Sequence, residues 1–203
     1  MQLSIRIAFL AVAIAAAPVT GAFAEGLFED GAAANKRGDY AKAVEIWRPL
    51  AEHGNAKAQF ALSVMYEMGR GVPQSASESI KWLRPAAEQG DIAAQFALGS
   101  AYADGRGVKK DYLEAAKWLR RAAGQGDTIS QLFLGGIYAQ GLGVQPDLVE
   151  ALKWLLIAAS QDLMKKQSEK NRDIVASLMT PEQIMEAKSQ AAKWKVKKEI
   201  EPK

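Results

Sequence analysis

Few residues in this chain could do chemistry. There is no cysteine and one histidine, which removes disulfides, thiolate metal sites, cysteine nucleophiles and any histidine-rich metal centre. The histidine, His53, has glutamines at the corresponding places, Gln89 and Gln125. A catalytic imidazole needs a positioned acid or nucleophile, and nothing recurs beside it to serve. Three glycine-rich lines remain: "YEMGRGVPQS" from Tyr66, "YADGRGVKKD" from Tyr102 and "YAQGLGVQPD" from Tyr138. Gly-x-Gly cradles phosphate when it follows a strand and opens a helix, where backbone N–H groups converge. Here a helical pattern precedes each pair and a helix cap follows within a few residues. Gly69, Gly71, Gly105, Gly107, Gly141 and Gly143 are therefore expected to end helices.

The carboxylates lead to the same place. Glu78, Glu114 and Glu150 close capping boxes in "SASE", "DYLE" and "DLVE". Glu52 and Glu88 recur near helix ends. Asp104, with Glu67 one position before it in the previous unit, is left without a structural role, and a solvated rim is expected. A paired-carboxylate hydrolase needs two acids converging on one bond, and no such pair stands out. "SESIK" and "SQDLMKK" miss the one-turn Ser-x-x-Lys spacing of a serine acyl enzyme. No catalytic residue, metal ligand or cofactor is expected.

What these residues do share is a step of 36 positions. Trp82, Trp118 and Trp154 keep it, as do Tyr66, Tyr102 and Tyr138, and Leu62, Leu98 and Leu134. A fixed period in the range of ~20–50 residues marks stacked supersecondary units. Each unit reads as two helices. The first is capped by Asn55, Asp91 or Asp127, whose side chain can accept an orphan backbone N–H, and carries Gln59, Leu62 and Tyr66 on one side. The second opens at the capping box, carries the tryptophan and stops at Gly54, Gly90 or Gly126. Pro49 and Pro85 fall inside second helices, where local bends are expected. The periodic tryptophans and tyrosines are expected in the core, because stacked units need a continuous buried seam.

The unit "AEQGDIAAQFALGSAYADGRGVKKDYLEAAKWLRRA" resembles a Sel-one-like repeat of the tetratricopeptide superfamily. The stretch 27–54 is similar but four residues shorter between its helices, with Gly31 matching Gly99. Ser63 stands where Gly99 and Gly135 recur, and Leu142 where Arg70 and Arg106 recur; neither was expected to matter much. The resemblance implies an all-α solenoid of helix–turn–helix units that acts by binding a protein or peptide and not by catalysis. By analogy with tetratricopeptide groove positions, the first helices line a concave face showing Lys57, Val64, Glu67, Met68, Ser100, Ala103, Asp104, Gly136, Ala139 and Gln140. Some cysteine-rich relatives are β-lactamase-like, which keeps a cell-wall or β-lactam hydrolase as the alternative from another class; this chain lacks their cysteines.

The ends differ from the repeats. Residues 1–24 hold one charge, Arg6, and an apolar run shorter than a spanning helix needs. Ala22-Phe23-Ala24 fits a signal peptidase site, so cleavage is expected between Ala24 and Glu25. That makes the chain periplasmic or secreted, with no membrane span in the mature form. After Ser160 the period fails. "QDLMKKQSEKNRDIVASLM" reads as one helix, and "TPEQ" from Thr180 starts another with Ile184, Ala187, Ala191 and Trp194 on one stripe. The pair is expected to cap the stack.

The expected organisation is a signal peptide (1–24), a tetratricopeptide-like pair (25–54), Sel-one-like units at 55–90, 91–126 and 127–162, capping helices (163–198) and a tail (199–203). Net charge is +3 over 203 residues, with the bases concentrated after residue 164. The body therefore lacks a nucleic-acid footprint. The expected protein is a monomeric scaffold for an unidentified protein or peptide in envelope signalling, assembly or secretion, or a secreted factor that meets a host protein.

Overall fold

The computed structural model describes residues 21–196, with side-chain surroundings from Ala24. Among them are ten α-helices and a 3-10 turn at Asp162–Met164, and no strand. The helices are α1 (Gly21–Lys36), α2 (Tyr40–Glu52), α3 (Ala56–Met68), α4 (Ala76–Glu88), α5 (Ile92–Asp104), α6 (Tyr112–Gly124), α7 (Thr128–Gln140), α8 (Leu148–Ala159), α9 (Lys165–Ala176) and α10 (Pro181–Lys193). From α1 to α8 they pack in four consecutive pairs, and each second helix also packs on the first helix of the next pair, while α9 and α10 both pack on α8. The architecture is the expected all-α solenoid. The expected signal peptide lies almost wholly outside the described residues, as does the tail 199–203. The expected cleavage point, Ala24–Glu25, falls inside α1.

Helices α2 to α8 and α10 start where the sequence supplies a cap, whereas α9 follows Met164 without a side-chain capping bond. Asn55, Asp91 and Asp127 accept the N–H groups of Ala58, Ala94 and Ser130 at 2.9, 2.8 and 2.7 Å. Ser75, Asp111 and Asp147 accept from Glu78, Glu114 and Glu150 at 3.2, 3.1 and 2.9 Å. The returning half of these three capping boxes does not form. The cap residues' own N–H groups donate instead to the carbonyls of Tyr66, Tyr102 and Tyr138 at 2.9, 2.9 and 3.0 Å. With that donor taken, the three glutamates turn to Lys81, Lys117 and Lys153 one turn on. At Thr180 the box is reciprocal.

The two glycines of each Gly-x-Gly do different work. Gly105 ends α5 in the left-handed region, φ 78°, where a side chain is disfavoured. Gly107, φ 69°, lies against the start of the preceding unit's second helix, and a Cβ there would collide with the Ala76 carbonyl. The second glycine thus sets the spacing between units; it does not end a helix. Pro49 and Pro85 are accommodated, with α2 and α4 continuing through them to Glu52 and Glu88.

The core runs the length of the stack. Leu62, Leu98 and Leu134 are fully buried, and Trp47, Trp118 and Trp154 nearly so. Trp82 is half-buried, as are Tyr66 and Tyr102, while Tyr138 is buried. Tyr66 and Tyr102 therefore sit at the edge of the seam, and Tyr138 lies within it. At the end of the stack α9 and α10 pack against α8. Val175, Ala187, Ile184, Ala191 and Trp194 join its core, Trp194 meeting Trp154 edge-on at 6.2 Å between ring centres. The first part of the expected single helix after Ser160 is the 3-10 turn, and α9 follows it.

Candidate partner-binding face

Two sets of side chains repeat down the stack, and they behave differently. One set ties the units together. Gln59, Gln95 and Gln131 are buried, and each donates its amide to a carbonyl of the preceding helix, Ala51, Ala87 or Ala123, at 3.1 Å. Each also accepts from a second glutamine: Gln89 to Gln59 at 2.8 Å, Gln125 to Gln95 at 2.9 Å and Gln161 to Gln131 at 2.9 Å. His53 occupies the same place in the first unit, where Leu27 stands instead of an accepting glutamine. Its Nδ1 lies 2.7 Å from the Pro49 carbonyl oxygen. The lone histidine is thus one member of a structural series. A second tie links Arg48, Arg84 and Arg120 to the hydroxyls of Tyr66, Tyr102 and Tyr138, with each guanidinium also near the tyrosine ring.

The other set lies on the face formed by α1, α3, α5 and α7, where residues change from unit to unit. Lys57, Met68, Asp104 and Gln140 are exposed there, and Val64, Glu67, Ser100, Ala103, Gly136 and Ala139 are half-buried. Contacts run across this face between neighbouring first helices. Lys57 Nζ donates to Glu25 at 2.8 Å. That hydrogen bond, and then the carboxylate's charge, raise the Lys57 ammonium above the ordinary lysine value. Phe96 and Phe133 meet edge-on at 6.0 Å.

Glu67 and Asp104, unassigned in the sequence, are joined by Arg106. Its Nη1 donates to Glu67 at 2.9 Å and its Nε to Asp104 at 3.1 Å. Arg106 was not among the expected face residues, and neither were Phe60, Phe96, Ala97, Phe133 and Glu25. Their signal was available: Phe60 and Ala97 fall on the same helical stripe as Val64 and Ser100. The Arg106 bridge spans 39 residues, a distance no local pattern reports. The substitutions at Ser63 and Leu142, expected to matter little, also shape this face. Where Arg106 bridges two acids, Leu142 packs against the core. Where Gly99 and Gly135 let the paired helix come close, Ser63 donates its hydroxyl to Phe60 at 2.7 Å.

Between α3, α4 and α5 the face opens into a hollow of about 120 Å³. Phe60, Val64, Ile80, Leu83, Ala97 and Ala101 form its apolar walls, and Glu67 and Arg106 stand at it with the buried Ser63 and Ser79. Among the described residues no group of His, Cys, Asp and Glu could hold a metal ion. No helix of the described residues is long and apolar enough to cross a membrane. The arrangement offers binding groups in a row.

Comparison with known proteins accords with this geometry. The model of the Sel1 repeat matches four times, at residues 27–55, 56–91, 92–127 and 128–163. Among solved structures, the chain is similar to a Sel1 repeat protein from Oxalobacter formigenes, with 41% identity and a TM-score of 0.58 over 63% of this chain and 95% of that one. It is also similar to c5321, a protective antigen present in uropathogenic Escherichia coli strains and displaying an SLR fold. There the identity is 31% and the TM-score 0.58, over 84% of this chain and 45% of the longer one. The match therefore spans less than half of that antigen. No curated protein matches the chain.

Proposed function

We propose that this chain, which belongs to the Sel1 repeat family, is an exported scaffold that holds a segment of a partner protein on the face lined by α1, α3, α5 and α7. Sel1 repeat proteins mediate protein–protein interaction, and the fold is typically non-catalytic. One observation carries the reading for this chain. The glutamine and arginine–tyrosine ties recur from unit to unit, while the residues on the first-helix face do not. Lys57, Ala93 and Ile129 occupy one row of that face, and Val64, Ser100 and Gly136 another. A repeated frame with a varied face is what selective binding on a solenoid requires.

Export rests on the leader pattern of residues 1–24. Location in the periplasm, or release beyond it toward a host protein, belongs to the same proposal. The test is affinity capture from envelope fractions after mild crosslinking, comparing wild type with Glu67→Lys/Asp104→Lys and with Gly136→Arg. A partner retained by the wild type and lost from the face variants supports the reading. A partner retained equally by all three removes it.

A further inference from the structure

The hollow between α3, α4 and α5 is walled by residues that change at the neighbouring steps of the stack. One unit later, Phe133 replaces Ala97, Ile137 replaces Ala101 and Leu142 replaces Arg106. Ile137 is buried and Leu142 packs on the core, so larger apolar groups stand where the hollow has small ones. One unit earlier, Trp47 stands at the place of Leu83 and Met65 at that of Ala101, both buried, with Trp47 stacked on Phe28 at 5.8 Å. The acidic rim changes along with the hollow. Ala103 replaces Glu67 in the next unit just as Leu142 replaces Arg106. The hollow and the ion bridge stand together at this step.

We propose that this hollow receives one aliphatic side chain of a partner peptide, and that the peptide's adjacent lysine or arginine pairs with Asp104. The inference rests on the scaffold reading and names the partner's chemistry. Size sets the first half. The hollow, about 120 Å³, is near the ~150 Å³ apolar cavity that holds a benzene ring in a protein interior. It suits a leucine- or isoleucine-sized group and its walls are apolar. Charge sets the second half. Arg106 alone lies between two carboxylates, and Asp104 is the more exposed of them, its side chain 60% accessible against 38% for Glu67. Lys110, a further cation that makes no ion pair with Asp104, lies over the Tyr112 ring, 4.7 Å from its centre. A ligand cation can take Asp104 while Arg106 keeps Glu67, and a ligand carboxylate would face two acids.

The probe is a displayed library of random twelve-residue peptides, selected on the full chain. The selected peptides are then labelled and titrated by fluorescence anisotropy into wild type, Ala97→Phe, Asp104→Lys and Gly136→Arg. Ala97→Phe enlarges a wall residue of the hollow to the one the next unit carries at that place. Gly136 has open space around its Cα, with only Gln140 Nε2 within 4 Å of an added Cβ, at 3.9 Å. The expected result is an aliphatic residue beside Lys or Arg in the selected peptides. Their Kd rises about tenfold or more in Ala97→Phe, as loss of one buried aliphatic contact implies, and severalfold in Asp104→Lys. Peptides that lack the pair, or that bind Ala97→Phe as they bind wild type, overturn the inference. If those peptides are still lost with Gly136→Arg, the face remains the binding site and the hollow alone is excluded. Peptides indifferent to all three variants, or an empty selection, overturn both readings.

Discussion

Gln125 donates its side-chain amide to Gln95 Oε1 across 2.9 Å, from the end of one unit's second helix to the first helix of the same unit. Gln95 is fully buried and also holds the Ala87 carbonyl at 3.1 Å. Equivalent bonds recur at Gln89–Gln59 and Gln161–Gln131. This series is the polar counterpart of the leucine row, and it fixes how each helix pair sits on the one before.

Gln95→Leu should therefore be costly despite its apolar gain. It removes one bond from the Ala87 carbonyl, which keeps the Gly90 N–H, and one from the Gln125 amide, which keeps the Gly90 carbonyl. Each lost hydrogen bond contributes ~0.5–1.5 kcal/mol, and urea unfolding monitored by circular dichroism should show the summed loss of the two. Leu98→Ala, which opens a cavity at a fully buried site, should cost ~2–5 kcal/mol by the usual cavity penalty.

The glycines separate in the same assay. Gly107→Ala forces a Cβ into the Ala76 carbonyl at a positive φ, so strain and collision add. Gly54→Ala also has a positive φ, 87°, but nothing lies within 4 Å of the added atom. Gly54→Ala should cost ~1 kcal/mol, the backbone term alone, and Gly107→Ala clearly more. Equal losses at the two positions would mean that the second glycine of Gly-x-Gly does not set the spacing between units.

Glu67→Lys/Asp104→Lys should barely move the melting temperature. The bridges to Arg106 join half-exposed side chains, and such pairs contribute ~0–1 kcal/mol in water. Partner binding should fall all the same, because the change reverses the charge at the hollow's edge. A double variant that unfolds would mean that these residues belong to the frame.

The Lys57–Glu25 bond gives a pH dependence of known sign. The folded-state pKa of Lys57 lies above its unfolded value because of the Glu25 hydrogen bond and charge. Its contribution is complete below the unfolded value and is lost as pH rises through the raised one. Wild type should therefore lose slightly more stability than Glu25→Gln on moving from neutral to strongly alkaline pH, measured by thermal melts at matched ionic strength. An identical alkaline loss in both would show that the bond is not formed in solution.

Much of this fold is legible in the residues because its signals are local. Asn55, Asp91 and Asp127 announce helix starts, the glycines announce stops, and the tryptophan step gives the period. The α10 stripe through Ile184, Ala187 and Trp194 is equally plain. What escapes a sequence reading is longer in range or consists of missing volume. Arg106 reaches Glu67 only because two first helices lie side by side. The capping-box glutamates turn to lysines because distant tyrosine carbonyls already hold the donor they would have taken. The hollow exists because Ala97 and Ala101 are small where Phe133 and Ile137 are not, a contrast with meaning only once their shared face is known. His53 reads as an isolated imidazole until the glutamine series shows what its position does.

The most direct test of the central claim is site-specific photocrosslinking in the native cells. A photoreactive phenylalanine analogue would be placed at Val64 or Ser100 on the first-helix face, or at Lys81 or Lys117 on the exposed side of the second helices. The account predicts a discrete adduct of the same partner from Val64 and Ser100 and none from Lys81 and Lys117. Adducts from the second-helix positions alone, or no adduct from the first-helix positions, would contradict it.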